Sequence, residues 1–198
     1  MNAEKAIIFC NTASEACNIF YYFWSQFNEN AFLNPLQPSW ETLLFHLYTA
    51  SSGAITKEFL VSEFRQKSFC RLLITTVAFG MGADIPDVRK IVIWGLPPDP
   101  ITMWQEVGRG GRDSFLSVDT ICPFKTQFFR QLKGSNYLLP GTCIRQQILQ
   151  QFFGCENFTT ERKVCEPKCT ENCICDGCFC CCVCKSKCIC NVSSVMKP

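Results

Sequence analysis

Gln105, Gly108, Arg109, Gly111 and Arg112 spell the pattern Q-x-x-G-R-x-G-R within QEVGRGGRD. Two arginines three apart on a glycine-flanked turn can reach a polyphosphate charge while the backbone approaches closely. On their own, such arginines equally fit ordinary surface ion pairs. Upstream stands TTVAFGMGAD, in which Thr75 and Thr76 close an apolar run. Hydroxyls and backbone N–H groups at a strand end can hold phosphates without reading bases. Asn11 and Thr12, after the run KAIIFC, are placed similarly. Threonine is also favoured in strands for reasons unrelated to ligands. His46, the one histidine, sits inside LLFHLYT and reads as a packed strand residue, not a base or a ligand.

Elements must carry these groups. KAIIFCN at 5–11, LLFHLYT at 43–49, LLITTVAF at 72–79, IVIWGL at 91–96 and DTICPF at 119–124 read as strands. Asn11, Thr12 and Ser14 supply cap oxygens before a helical pattern from about 13 to 28. SSGAITKEFLVSEFRQ reads as a loop feeding a helix, with Leu60 and Phe64 on its apolar face. A short helix over about 101–107 leads into the glycine turn at 108–111. Near-continuous apolar strands alternating with helices predict an α/β fold, a parallel sheet covered on both faces.

Composition sets limits. The chain has 198 residues, 47% of them hydrophobic, with 18 Phe, enough for one substantial core plus a small appendage. Net charge is +2, so any nucleic-acid site must be a local strip. No apolar run reaches the roughly 18 residues a membrane span needs. MNAEKAIIFCNT lacks a basic n-region and a cleavage site, so no signal peptide is expected. The chain is expected in the nucleus or cytoplasm, not secreted, with reduced thiols. Cys10, Cys17, Cys70 and Cys122 read as small buried hydrophobes. Eleven of the 17 cysteines fall between Cys165 and Cys190, and that break marks the main domain boundary.

GMGAD followed by QEVGRGGRD, joined by a strand, closely resembles motifs V and VI of superfamily-two helicases, and within them the RecQ-like DNA helicases. KAIIFCNTASEACNIFYYF resembles motif IV, and GTCIRQQILQQFFG resembles the start of that family's zinc-binding subdomain. The likeness covers about residues 5–178. It departs where Thr49-Ala50-Ser51 replaces the family's His-Ala-Gly, and where Ile144-Arg145 replaces its Arg-Arg.

The resemblance implies a second RecA-like domain at 1–135, a small helical Cys-rich zinc subdomain at 136–178, and a Cys-rich tail at 179–198 that is either disordered or metal-binding. It implies Arg109 and Arg112 as arginine fingers, with Gln105 coupling nucleotide state to DNA. Asp84 would accept a hydrogen bond from the ribose of ATP, with Gly82 and Gly108 beside it. Asn11, Thr12, Thr75 and Thr76 would contact DNA. The chain contains no G-x-x-x-x-G-K-[ST] and no DEAH-like run. Seating ATP and Mg2+ therefore requires an N-terminal RecA-like domain in cis or trans, and the chain alone is expected to be inactive.

One tetrahedral zinc needs two close thiolate pairs, or a remote Cys plus a cluster. The RecQ-like arrangement implies Cys143 with Cys165, Cys169 and Cys173, with Cys155 or Cys175 as substitutes. Beyond Cys178, CFCCCVCKSKCIC is richer than one Zn2+ requires; it fits either a metallothionein-like cluster or a low-complexity tail. The reading is thus the C-terminal half of an ATP-dependent 3′-to-5′ DNA helicase acting on single-stranded or forked DNA, with no membrane partner. The alternatives are a non-catalytic nucleic-acid-binding remnant and a metal-binding protein working through its tail.

Overall fold

The structure, a computed structural model, describes residues 4–66, 69–80, 84–124, 141–153 and 181–186. The chain divides into two compact units, Met1–Phe128 and Phe129–Pro198. The first runs β1 (Lys5–Cys10), α1 (Ala13–Phe27), β2 (Phe45–Tyr48), α2 (Ala54–Arg65), β3 (Leu72–Thr76), β4 (Val88–Trp94), α3 (Pro100–Val107) and β5 (Val118–Cys122). The strands form one sheet ordered β2-β3-β1-β4-β5, parallel throughout. This is the α/β sheet the hydrophobic runs predict.

Alternation along the central strand decides what each face buries. Ile8 and Cys10 of β1 join Ala16, Phe45 and Ile74 in a core that α1 closes with Ile19, Phe20 and Phe23. Ile7 and Phe9 point to the other face, in register with Leu73, Ile91 and Ile93, all essentially buried. There α2 contributes Leu60 and Phe64, 1% and 0% exposed, and α3 contributes Met103. Each such side chain contributes roughly 1.5–3 kcal/mol by leaving water.

Two boundaries differ most from the sequence reading. β3 ends at Thr76, and Val77–Gly80 winds into a 3₁₀ turn. The turn brings Phe79 edge-on against Tyr48 and Phe64, which strand geometry would not allow. β4 begins at Val88, ahead of the apolar run, because Arg89 and Lys90 stay in the ladder while their charges reach Asp113 and Glu4.

Lys5 anchors one end of the sheet. Only 2% exposed, its Nζ donates to Arg65 O (3.4 Å), Gln66 O (3.0 Å) and Asp87 Oδ1 (2.9 Å). A cation there satisfies the last carbonyls of α2 and complements the negative end of that helix.

Within the second unit, α4 (Ile144–Phe153) starts directly after Cys143, and a short helix α5 (Cys182–Ser186) follows Cys181. Cys143, Gln147 and Ile148 are buried. The expected subdomain and tail limits at 136, 178 and 179 lie outside the described residues.

Candidate nucleotide and nucleic-acid site

Asp99 begins the segment that positions the arginines. Its carboxylate accepts from Thr102 N and Thr102 Oγ1, both at 2.8 Å, and Pro100 follows as the first helical residue. Those hydrogen bonds hold the Asp99 carboxyl below the usual carboxylate range. α3 then runs back along β4 and ends at Gly108.

The turn after α3 admits only glycine at two places. Gly111 has φ +61°, and a Cβ there would lie 2.5 Å from Phe115 O. A Cβ on Gly110 would lie 2.6 Å from Ser117 Oγ. Gly111 N donates to Val88 O and Asp113 N to Pro86 O, which pins the turn to the start of β4. Arg89 clamps it with a two-pronged ion pair to Asp113, holding the Asp113 carboxyl below its ordinary value.

Arg112 donates from Nε to Gly108 O (3.0 Å) and from Nη1 to Asp84 Oδ1 (2.8 Å). Arg109 is half-buried beside it; burial and the charge of Arg112 oppose its protonation, and Asp84 supports it. Asp84, Gly108, Arg109 and Arg112 therefore gather at the amino ends of β4 and β5. Gly82 lies outside the described residues. Gln105 is exposed on α3.

The other group lies at the opposite end of the sheet. Asn11 follows β1 and its Nδ2 donates to Leu96 O at 3.1 Å. That bond needs Gly95, whose φ is +84° and whose Cβ would strike Asn11 Nδ2 at 2.7 Å. Thr12 is exposed and caps α1 through a reciprocal pair with Glu15. Thr75 and Thr76 end β3, both buried, and the Thr75 hydroxyl donates to Thr76 O at 2.9 Å. β4, seven residues long, sets a separation of roughly 20 Å between the two groups.

Glu106 escaped the sequence reading. It is 4% exposed, its Oε2 has no hydrogen-bond partner among the described residues, and burial, with the Asp99 charge, raises its carboxyl to about 7. Its place on the inner face of α3, beside Met103, was the available signal. His46 lies in β2, 1% exposed and edge-on to Trp40, and burial lowers it to about 4. Cys10 and Cys70 are buried, their thiols pushed up to about 12 chiefly by burial; Cys17 and Cys122 are half-buried.

In the second unit the sulfurs of Cys143, Cys181 and Cys184 lie within 4.8 Å of one another. Tetrahedral zinc with Zn–S near 2.3 Å places its sulfurs about 3.8 Å apart, so this donor set fits a zinc ion after a small closure. Cys165, Cys169 and Cys173 lie outside the described residues.

The first unit is thus a parallel sheet with a glycine turn that presents two arginines beside an acidic residue. Residues 1–114, more than half of the chain, match the helicase conserved C-terminal domain, and the chain belongs to that family. Its relatives include RecQ-like helicases. It is 29% identical over 126 residues to the bifunctional 3′-5′ exonuclease/ATP-dependent helicase WRN of Mus musculus, covering 54% of this chain and 9% of that protein. It is 35% identical over 71 residues to the RecQ-like DNA helicase BLM of Xenopus laevis, covering 36% and 5%. The chain thus spans less than a tenth of these relatives. Among solved structures, domain 2 of the DEAD-box helicase Mss116p bound to an RNA duplex superposes with a TM-score of 0.52 at 20% identity, covering 69% of this chain and 49% of that one. S. cerevisiae Dbp5 bound to RNA and ADP BeF3 gives 0.52 at 23%, covering 77% and 33%. These two likenesses show the RecA-like fold. Among the described residues no helix is long and apolar enough to cross a membrane.

Proposed function

We propose that this chain is the second motor half of a RecQ-like, ATP-dependent DNA helicase that moves 3′ to 5′ on single-stranded or forked DNA, and that it works in the nucleus or cytoplasm. The observation that carries this reading is the placement of two polar groups at opposite ends of one sheet, bridged by α3. Arg109 and Arg112 would meet the phosphates of ATP seated with Mg2+ on an N-terminal RecA-like domain. ATP supplies the free energy of phosphate hydrolysis. The two guanidinium groups neutralise charge that grows on the transferred phosphoryl group. Asp84 exchanges its bond with Arg112 for the ribose, with Gly82 and Gly108 giving close backbone approach. Asn11, Thr12, Thr75 and Thr76 line the strand ends where a DNA backbone would pass. Gln105, exposed on α3 between the groups, reports nucleotide state to the DNA side. A structural zinc headed by Cys143 completes the chain.

A second reading, a non-catalytic nucleic-acid-binding remnant, draws support from the engagement of Arg112 by Asp84 and Gly108. Turnover separates the two. The chain alone should show no DNA-stimulated ATP hydrolysis, because it contains no phosphate-cradling loop or magnesium carboxylates. Supplied with an N-terminal RecQ-like motor domain, it should turn over ATP. Arg112→Ala should then lower turnover by about 10³–10⁵ while ATP binding changes little, as fingers act mainly in the transition state. Arg109→Ala should behave alike. Unchanged turnover in both variants would place the nucleotide elsewhere.

A further inference from the structure

We infer that Cys181 and Cys184, from the tail, join Cys143 in the zinc site that it heads. The site goes beyond the motor reading, since it stands whether or not the first unit supports ATP turnover.

Three observations carry it. First, the three sulfurs already lie within 4.8 Å of one another, although Cys143 is remote from the tail pair in sequence. Second, each sulfur is held by local helix geometry. Cys143 precedes α4, and its Sγ accepts the Gln146 backbone N–H at 3.4 Å. Cys181 and Cys184 flank one helical turn, closed by Lys185 N donating to Cys181 O at 2.8 Å, so both thiols face one side. Third, among the described residues little apolar packing surrounds the three sulfurs. α4 is a ten-residue helix, too short to persist alone in water. Its buried side chains are Gln147 and Ile148, and α5 has five residues with Cys184 buried. Elements this small meet around a metal when metal binding supplies their folding energy.

The chemistry suits Zn2+. Three thiolates around the ion leave one position for a further donor. The assembly then carries excess negative charge, which Lys185 beside Cys184 offsets in part. Binding releases the three thiol protons to solvent, so affinity rises with pH.

The test uses the full 198-residue chain, purified with zinc and, separately, with cobalt(II) as a spectroscopic stand-in. Cys181→Ser/Cys184→Ser should lower the metal content by about one zinc per chain and abolish the intense thiolate-to-cobalt absorption of a tetrahedral site. Differential alkylation of the unmodified chain guards against variants that fail to fold. Cys143, Cys181 and Cys184 should resist N-ethylmaleimide when loaded and react together once a chelator is added. A tail variant that keeps its zinc and cobalt spectrum, or Cys181 and Cys184 reacting freely in the loaded chain, would overturn the assignment. None of these readouts depends on ATP turnover, so failure of the motor reading leaves them untouched.

Discussion

A carboxyl group sealed inside a motor domain costs stability whenever it ionises. Glu106 is such a group, buried on α3 with one oxygen lacking a described partner and its carboxyl raised to about 7. Unfolded, it ionises near its ordinary 4.5. Between those values the folded chain binds more protons than the unfolded chain, so stability falls as pH rises through that window and levels off above it. Glu106→Gln should remove this slope and raise stability at pH 8 by roughly 3 kcal/mol, at about 1.4 kcal/mol per pH unit. Thermal melts of both chains from pH 5 to 8 would show it; parallel curves would mean that Glu106 is solvated. The arginine pattern was legible because glycine spacing exposes it in the sequence. Glu106 was not, because a charged residue between Gln105 and Val107 looks like any solvated helix position until the sheet is placed against it.

The helix that holds the arginines is short, eight residues, and depends on its first turn. Asp99 satisfies two donors of Thr102 there, and Asp99→Ala should cost about 0.5–2 kcal/mol. The loss should concentrate at α3 and the 108–113 turn. Hydrogen exchange should show faster opening of residues 100–113 with β1 and β3 unchanged; uniform acceleration would mean that the cap acts on the whole fold. The helix was legible over about 101–107, whereas the bond from Thr102 to Asp99 that starts it shows only in the folded backbone. All five strands were legible too, because buried parallel strands read as apolar runs. Their limits were not. Val77 and Phe79 continue the apolar run of β3, yet they lie in a turn where Phe79 packs against Phe64 and Tyr48. The meeting of Cys143 with Cys181 and Cys184 was equally hidden, since a tail so dense in cysteine offers many spacings and no periodicity selects one.

At the scale of the molecule, the strand order has a consequence for how the chain is made. β1 leaves the ribosome before both of its neighbours, Leu72–Thr76 and Val88–Trp94. Until Trp94 emerges, the central strand has one partner at most, and long-range parallel pairing is slow even then. Meanwhile α1, carrying Phe20, Phe23 and Phe27 with Tyr21, Tyr22 and Trp24, has no finished sheet to cover. A nascent chain in that state exposes aromatic surface to its neighbours, the condition under which chaperones are engaged. Ribosome-arrested chains should pass from protease-sensitive to resistant only after the segment through β5 is outside the exit tunnel. Early resistance, with only β1 to α2 exposed, would mean that the amino-terminal elements fold without their sheet. Synthesis of this protein is therefore a wait, its central strand idle until both of its neighbours have been added.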